Sequence, residues 1–207
     1  MPRRRYRQFC PLAKALDVLG ERWTLLIVRE LMTGPKRYTD LRDELPGLAT
    51  DLLAARLREL HHGGIVERRD VPPPTPAVVY ELTPRGHALD AVITELALWG
   101  RPLLQESIDD YLPQSALLLG IKTLFHSDAA ADLDETYHLE VDGRPVAVQV
   151  HDGTVDVAPD SIAERPAVRI VTDTKGFINL ARGQPQAARI EGDPDALNRL
   201  GRVLDLS

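Results

Sequence analysis

The sequence predicts an α+β chain of two domains, and three observations predict it. Residues 11–104 carry apolar side chains mainly at three- and four-residue spacing, the period of an amphipathic helix, interrupted by two short β-prone runs. Residues 136–157 switch to alternation, with Asp142-Gly143 and Asp152-Gly153 between the alternating runs, a strong short-range hairpin signal. Charge divides near the same place. Residues 1–105 hold 16 Lys+Arg against 13 Asp+Glu and residues 106–207 hold 9 against 18, so the formal net charge of −6 conceals a basic half and an acidic one.

The elements follow in order. Pro11 suits the first turn of a helix and Gly20 its end, with Leu12, Ala15, Leu16 and Leu19 as its stripe. Trp23 to Met32 is a second helix, with Trp23, Leu26, Ile27 and Leu31 inward and Arg22, Arg29 and Glu30 outward; Gly34-Pro35 breaks it. Tyr38 to Leu45 is a third, with Thr39 able to cap it and Leu41 and Leu45 inward. Pro46-Gly47 then turns the chain into Ala49–His62. In that helix Leu52, Leu53, Leu57 and Leu60 gather on one side and Asp51, Ala54, Ala55, Arg58 and His62 on the other. Two helices joined by a tight Gly-containing turn form a helix-turn-helix. Strands at 65–69 and 78–82 around the stiff VPPPTP loop add a hairpin with a projecting tip, and a long helix from Arg85 to Gly100 follows. Three helices and such a hairpin make a winged helix. The outer face of Ala49–His62 is short of long charged side chains. Its alanines allow close approach to a groove, although this helix taken by itself reads first as an ordinary core helix whose alanines serve propensity.

The domain boundary is expected in the polar stretch after Leu104: residues 1–104, a linker over 105–112, and a second domain over 113–207. The second domain opens on an apolar helix, Ser115 to Phe125. A three-strand meander follows, then a strand at 168–172, a helix from Lys175 to Ala181 ending at Gly183, a strand from Ala187 to Ile190, and a last helix opened by Asp193-Pro194 and running to Leu204. The sheet is expected to be rich in antiparallel pairs.

The first domain resembles the HxlR-type winged-helix transcription regulators. The residues that carry the resemblance are Cys10-Pro11, Leu16, Gly20, Trp23-Thr24, Ile27 to Leu31, Gly34-Pro35, Tyr38, Leu41, Leu45-Pro46-Gly47, Leu53, Arg56 to Leu60, Gly64 to Arg68, Tyr80 to Thr83, Gly86 and Trp99-Gly100. The resemblance implies a DNA-binding homodimer. Its interface would come from the first helix and the helix after the wing, with Leu12, Leu16, Val92, Ile93, Leu96 and Trp99; the alternative for the last four is an intramolecular core. The expected DNA contacts are Lys36, Arg37 and Tyr38 ahead of the motif, Thr50, Asp51, Ala54, Ala55 and Arg58 on the recognition helix, and one of Arg68 and Arg69 on the wing, since neighbours on a strand face opposite ways. Arg56 reads as a structural ion-pair residue. Two departures from the family pattern stand out: Ala49 takes the usual cap position, leaving Thr50 to cap, and Asp51 stands where a base or amide is common. Ala77 also replaces the usual wing arginine.

The second domain resembles the sterol-carrier-protein-2-like domain, on Thr172-Asp173, Phe177, Leu180, Gly183, Ile190 to Asp193, Ala196-Leu197 and Leu200. The resemblance implies an α/β layer with an apolar tunnel for lipids or other hydrophobic small molecules. Candidate lining residues are Leu118, Ile121, Leu124, Phe125, Phe177, Ile178, Leu180 and Leu204, each of which also suits a close-packed core.

Other chemistry finds no support in the residues. No apolar run is long enough to span a membrane, and the basic N-terminus lacks a following apolar segment, so a cytoplasmic protein is expected. The single cysteine excludes an internal disulfide and a multi-cysteine metal site. The histidines lack metal-ligand spacing, there is no glycine-rich phosphate loop and no nucleophile elbow, so no cofactor, no metal and no enzyme activity are expected. Cys10 has two readings. Some members of the resembled family use a cysteine here as a redox sensor, and Arg7 with the helix start would favour a thiolate; the other reading is a small packed apolar residue. The function expected is a homodimeric regulator on a pseudo-palindromic operator of double-stranded DNA. A hydrophobic effector in the second domain would change the spacing of its recognition helices. The alternative is a hydrophobic-molecule carrier whose winged helix serves only to dimerise.

Overall fold

The computed structural model describes residues 5–74, 76–106, 110–181 and 188–204; Arg3, Arg4, Gly183 and Ala187 lie outside them. The chain divides into two compact units, residues 1–95 and 96–207.

The first unit begins with α1 (Pro11–Leu19), α2 (Thr24–Leu31), α3 (Tyr38–Glu44) and α4 (Thr50–His62). Trp23 sits at φ 77° in the left-handed region, so the chain turns there and α2 starts one residue later than the apolar spacing predicts. Ile27, Val28, Leu31, Leu41, Leu53, Leu57 and Leu60 are buried and form the unit's interior. Leu26, expected inward, is exposed, whereas Glu30, expected outward, is 0% exposed. The reason is positional: Glu30 lies three residues after Ile27, on the buried side of a helix, and is kept there by ions, as described below. The wing is a three-stranded sheet rather than a hairpin alone. β2 (Val66–Val71) and β3 (Ala77–Leu82) pair antiparallel, and the two-residue β1 (Lys36–Arg37) adds to the other edge of β3, Lys36 opposite Tyr80.

The helix expected over Arg85–Gly100 is broken into α5 (Pro84–His87) and α6 (Asp90–Gly100). Thr83 explains the break. Its hydroxyl donates to Gly64 O (2.7 Å) and accepts from Gly86 N–H (3.1 Å), fixing α5 on the hairpin. A Cβ on Gly86 would stand 2.2 Å from Ile65 O, so only glycine permits this approach. The chain then tightens, Leu89 N–H bonding back three residues to Gly86 O (2.9 Å), and restarts at Asp90.

The second unit is a five-stranded sheet in the order β6-β5-β4-β7-β8, with strands β4 (Asp134–Val141), β5 (Arg144–His151), β6 (Thr154–Pro159), β7 (Val168–Thr172) and β8 (Arg189–Gly192). The meander β4-β5-β6 forms through the two Asp-Gly turns, where Asp142, Gly143, Asp152 and Gly153 all take positive φ, the conformation of the favoured hairpin turn. Three strand pairings are antiparallel; β4 and β7 alone run parallel. Helices α7 (Gln114–Leu124), α8 (Thr174–Ala181) and α9 (Pro194–Val203) supply Leu117, Leu118, Ile121, Leu180, Ala196 and Leu200 to one cluster with Tyr137, Leu139, Val148 and Ile170 of the sheet. Residues 160–167 cross the opposite face of the sheet, Ala163 N–H donating to Nδ1 of His138 (3.4 Å), and so bring β7 alongside β4.

Candidate nucleic-acid interface

The helix-turn-helix is assembled from α3 and α4. Arg37 is the residue ahead of α3, and its N–H donates to the Asp40 carboxylate (2.8 Å), so the cap is Asp40 acting backward rather than Thr39. Gly47, at φ 87°, makes the turn. Ala49 precedes α4 and offers no side-chain cap; Thr50 is already inside the helix and does not take that role. The end of α4 is secured instead by Tyr38, whose hydroxyl donates to Thr50 O (2.7 Å) across the motif. That bond fixes the angle at which α4 leaves the turn.

The outer face of α4 then presents Thr50, Asp51 and Arg58 exposed, with Ala54 and Ala55 half-buried between them. Among the described residues, the side chains of Asp51 and Arg58 enter no hydrogen bond or ion pair, in contrast to neighbouring charges. Arg56 is tied to Glu21 (3.0 Å) and Glu59 (2.5 Å), the structural role its position predicts. At the far end His62 Nδ1 donates to Arg58 O (2.6 Å), closing the last turn.

The remaining residues predicted to touch DNA fall into two groups. Arg37 and Arg68 are exposed. Lys36, Tyr38 and Arg69 are committed within the fold. Lys36 reaches inward to buried Glu30 (3.9 Å), which also pairs with Arg29 (2.7 Å). Arg69 holds Glu81 with two bonds (2.6 and 3.0 Å), which keeps the Glu81 carboxyl below its ordinary range. Arg68 stands opposite Tyr80 and Arg69 opposite Val79, so the two point to different faces of the wing. The buried Glu30 was legible as a position, three residues from Ile27, but its charge argued for the outside; only the two cations show why it is tolerated.

Of the predicted dimer residues, Leu12 and Leu16 are exposed on α1, and Val92, Leu96 and Trp99 (73% exposed) form an exposed row on α6. Ile93 is corrected: at 6% exposure it belongs to the chain's own interior, because one residue on from Val92 turns it about 100° away, off the exposed row and into the fold. Cys10 is half-buried immediately before α1, its carbonyl accepting from Lys14 N–H (3.0 Å). In the second unit Leu118, Ile121, Leu180 and Leu204 are in the core cluster and Leu124, Phe125 and Phe177 pack against it, while Ile178 is half-buried outside it. Among the described residues no group of His, Cys, Asp and Glu is arranged to hold a metal ion, and no helix is long and apolar enough to cross a membrane.

A helix-turn-helix with its second helix presented outward and a β-wing beside it defines a winged-helix transcription regulator. The chain belongs to the HxlR-like helix-turn-helix family, whose model matches residues 18–108. It is 42% identical over 91 residues to the HTH-type transcriptional regulator YodB of Bacillus subtilis (strain 168), covering 44% of this chain and 81% of that protein. It is 38% identical over 105 residues to the uncharacterized HTH-type transcriptional regulator YvaP of the same organism, covering 50% of this chain and 96% of that protein. A solved structure of the reduced form of YodB is 38% identical, covering 50% of this chain and 100% of that one, with a TM-score of 0.42.

Proposed function

We propose that this regulator binds double-stranded DNA as a homodimer, one α4 in each of two successive major grooves of a pseudo-palindromic operator. The observation that carries the reading is the outer face of α4: exposed Thr50, Asp51 and Arg58 around two small alanines, on a helix locked by the Tyr38–Thr50 bond. Arg37 at the entry to α3 and Arg68 on the wing serve the phosphates. The exposed rows of α1 and α6 join the two copies, since Leu12, Leu16, Val92, Leu96 and Trp99 otherwise leave large apolar side chains in water. The second unit, which we read from its sequence resemblance as a sterol-carrier-protein-2-like layer, takes an apolar small molecule among Leu118, Ile121, Leu124, Phe125 and Phe177, and that ligand alters the spacing of the recognition helices. This part of the reading is supported by the second compact α/β unit that follows the DNA-binding one in the same chain.

Fluorescence anisotropy on a selected operator, repeated from about 50 to 200 mM salt, tests the reading. Affinity should fall steeply with salt, and Arg58→Ala should weaken binding by about 1–3 kcal/mol. Equal affinity for selected and random duplexes would remove it. For the effector, co-purifying apolar molecules are identified by mass spectrometry and added back at saturation. Unchanged operator affinity would sink that part alone.

A further inference from the structure

We infer that Asp51 and Arg58 read a cytosine and a guanine about three base steps apart in each operator half-site; this rests on α4 being the reading helix. The two residues are seven apart. At ~100° and ~1.5 Å per residue they share one ridge of α4, separated along its axis by roughly 10.5 Å, the rise of about three stacked bases. Both are exposed, and neither side chain has a partner among the described residues, although they belong to one helix and carry opposite charge. Buried and half-buried ions of the same unit are paired, Glu30 with Arg29, Arg56 with Glu21 and Glu59, Glu81 with Arg69, whereas these two stand in solvent. On a reading helix, both side chains are thus free to meet base edges, and their shared ridge places them along one groove.

The chemistry of the groove selects the bases. A carboxylate is repelled by phosphate and by the acceptor atoms that dominate the major-groove edges of guanine and thymine. Its available donors are the amino groups of cytosine and adenine, and adenine sets the N7 acceptor beside its amino group, where cytosine sets none. Asp51 thus selects cytosine. Arg58 offers the donor fork that matches the paired acceptors of guanine. Ala54 and Ala55, between them on the same face, leave room for thymine methyl groups.

The test is selection from a random duplex library by the full chain, compared with Asp51→Asn, Asp51→Ala and Arg58→Ala, each checked for fold by circular dichroism. The unaltered protein should enrich half-sites with a cytosine and, about three steps away, a guanine. Asp51→Asn should move the preference at the cytosine position alone to adenine, because an amide pairs with adenine's adjacent donor and acceptor. Asp51→Ala should relax that position alone, losing roughly ten-fold of discrimination. If both Asp51 variants enrich the same sequences as the unaltered protein, Asp51 serves only the first turn of α4 and the inference is overturned. If the unaltered protein enriches no sequence and Arg58→Ala leaves affinity for bulk duplex unchanged, the assignment of α4 as reading helix fails with it.

Discussion

Helices α1 and α6 and the β4–β8 sheet treat their apolar residues in opposite ways. The two helices leave Leu12, Leu16, Val92, Leu96 and Trp99 in the open, whereas the sheet and its helices fold almost every leucine, isoleucine and valine into one cluster. Polar groups on α4 and in the second unit follow the same rule. Around the helix-turn-helix, charges that bind nothing inside are displayed on α4. In the second unit, charges are drawn into networks at the rim of the core. Tyr137 donates to Glu135, Glu135 accepts from Arg199 Nε (2.9 Å), and Arg199 also holds Asp193 (3.1 Å). The outer faces of α1, α4 and α6 keep apolar and hydrogen-bonding capacity open to partners, whereas the second unit uses most of its own within the layer.

Substitutions can break this contrast. The largest effect is expected from Leu200→Ala in α9, at 1% exposure, which should cost about 2–5 kcal/mol and speed hydrogen exchange in β4 and β7. Exchange there unchanged from the parent protein would mean that the cluster is not a close-packed core. The paired change Leu96→Ala with Trp99→Ala should alter folding stability by no more than about 0.5 kcal/mol, the usual range for surface positions, yet convert dimer to monomer in sedimentation at micromolar concentration. A dimer that survives both substitutions would place the interface elsewhere.

The smallest expected effect is a pH dependence confined to the second unit. His138 is 1% exposed beneath the crossing segment, and burial, aided by the charge of Arg169 and opposed by Glu140, holds its imidazole below the ordinary 6.5. In the unfolded chain the same group takes up its proton near 6.5, so below that pH the unfolded state gains protons that the native state refuses. Its contribution is therefore complete above pH 6.5 and declines as pH falls through the window beneath it. Protonating Nδ1 would also set two donors face to face, the imidazolium and Ala163 N–H. Corrected for the slower intrinsic exchange in acid, protection of the Ala163 amide should fall as pH drops below 6.5, and His138→Gln should flatten that fall; a fall of the same size in the variant would assign it to another group.

The sequence by itself determined which segments become helices and strands, and most of the faces they bury. Period, proline and glycine act within a few residues: Pro46-Gly47 turns α3 into α4, and the Asp-Gly pairs close the meander. The face of α4 was legible for the same reason, since Leu53, Leu57 and Leu60 recur at helical spacing and leave Asp51 and Arg58 outside. Only the tertiary structure decided what depended on partners far along the chain. Lys36 and Arg37 become a strand because β3 offers a free edge. Glu30 goes inside because Arg29 and Lys36 converge on it. The helix after the wing breaks because Gly86 must lie against Ile65, and Tyr38 is used inside the motif because Thr50 is brought within 2.7 Å of its hydroxyl. Periodicity encodes which side of an element is apolar; the pairing of two polar groups is encoded only in the distance between them, and folding sets that distance.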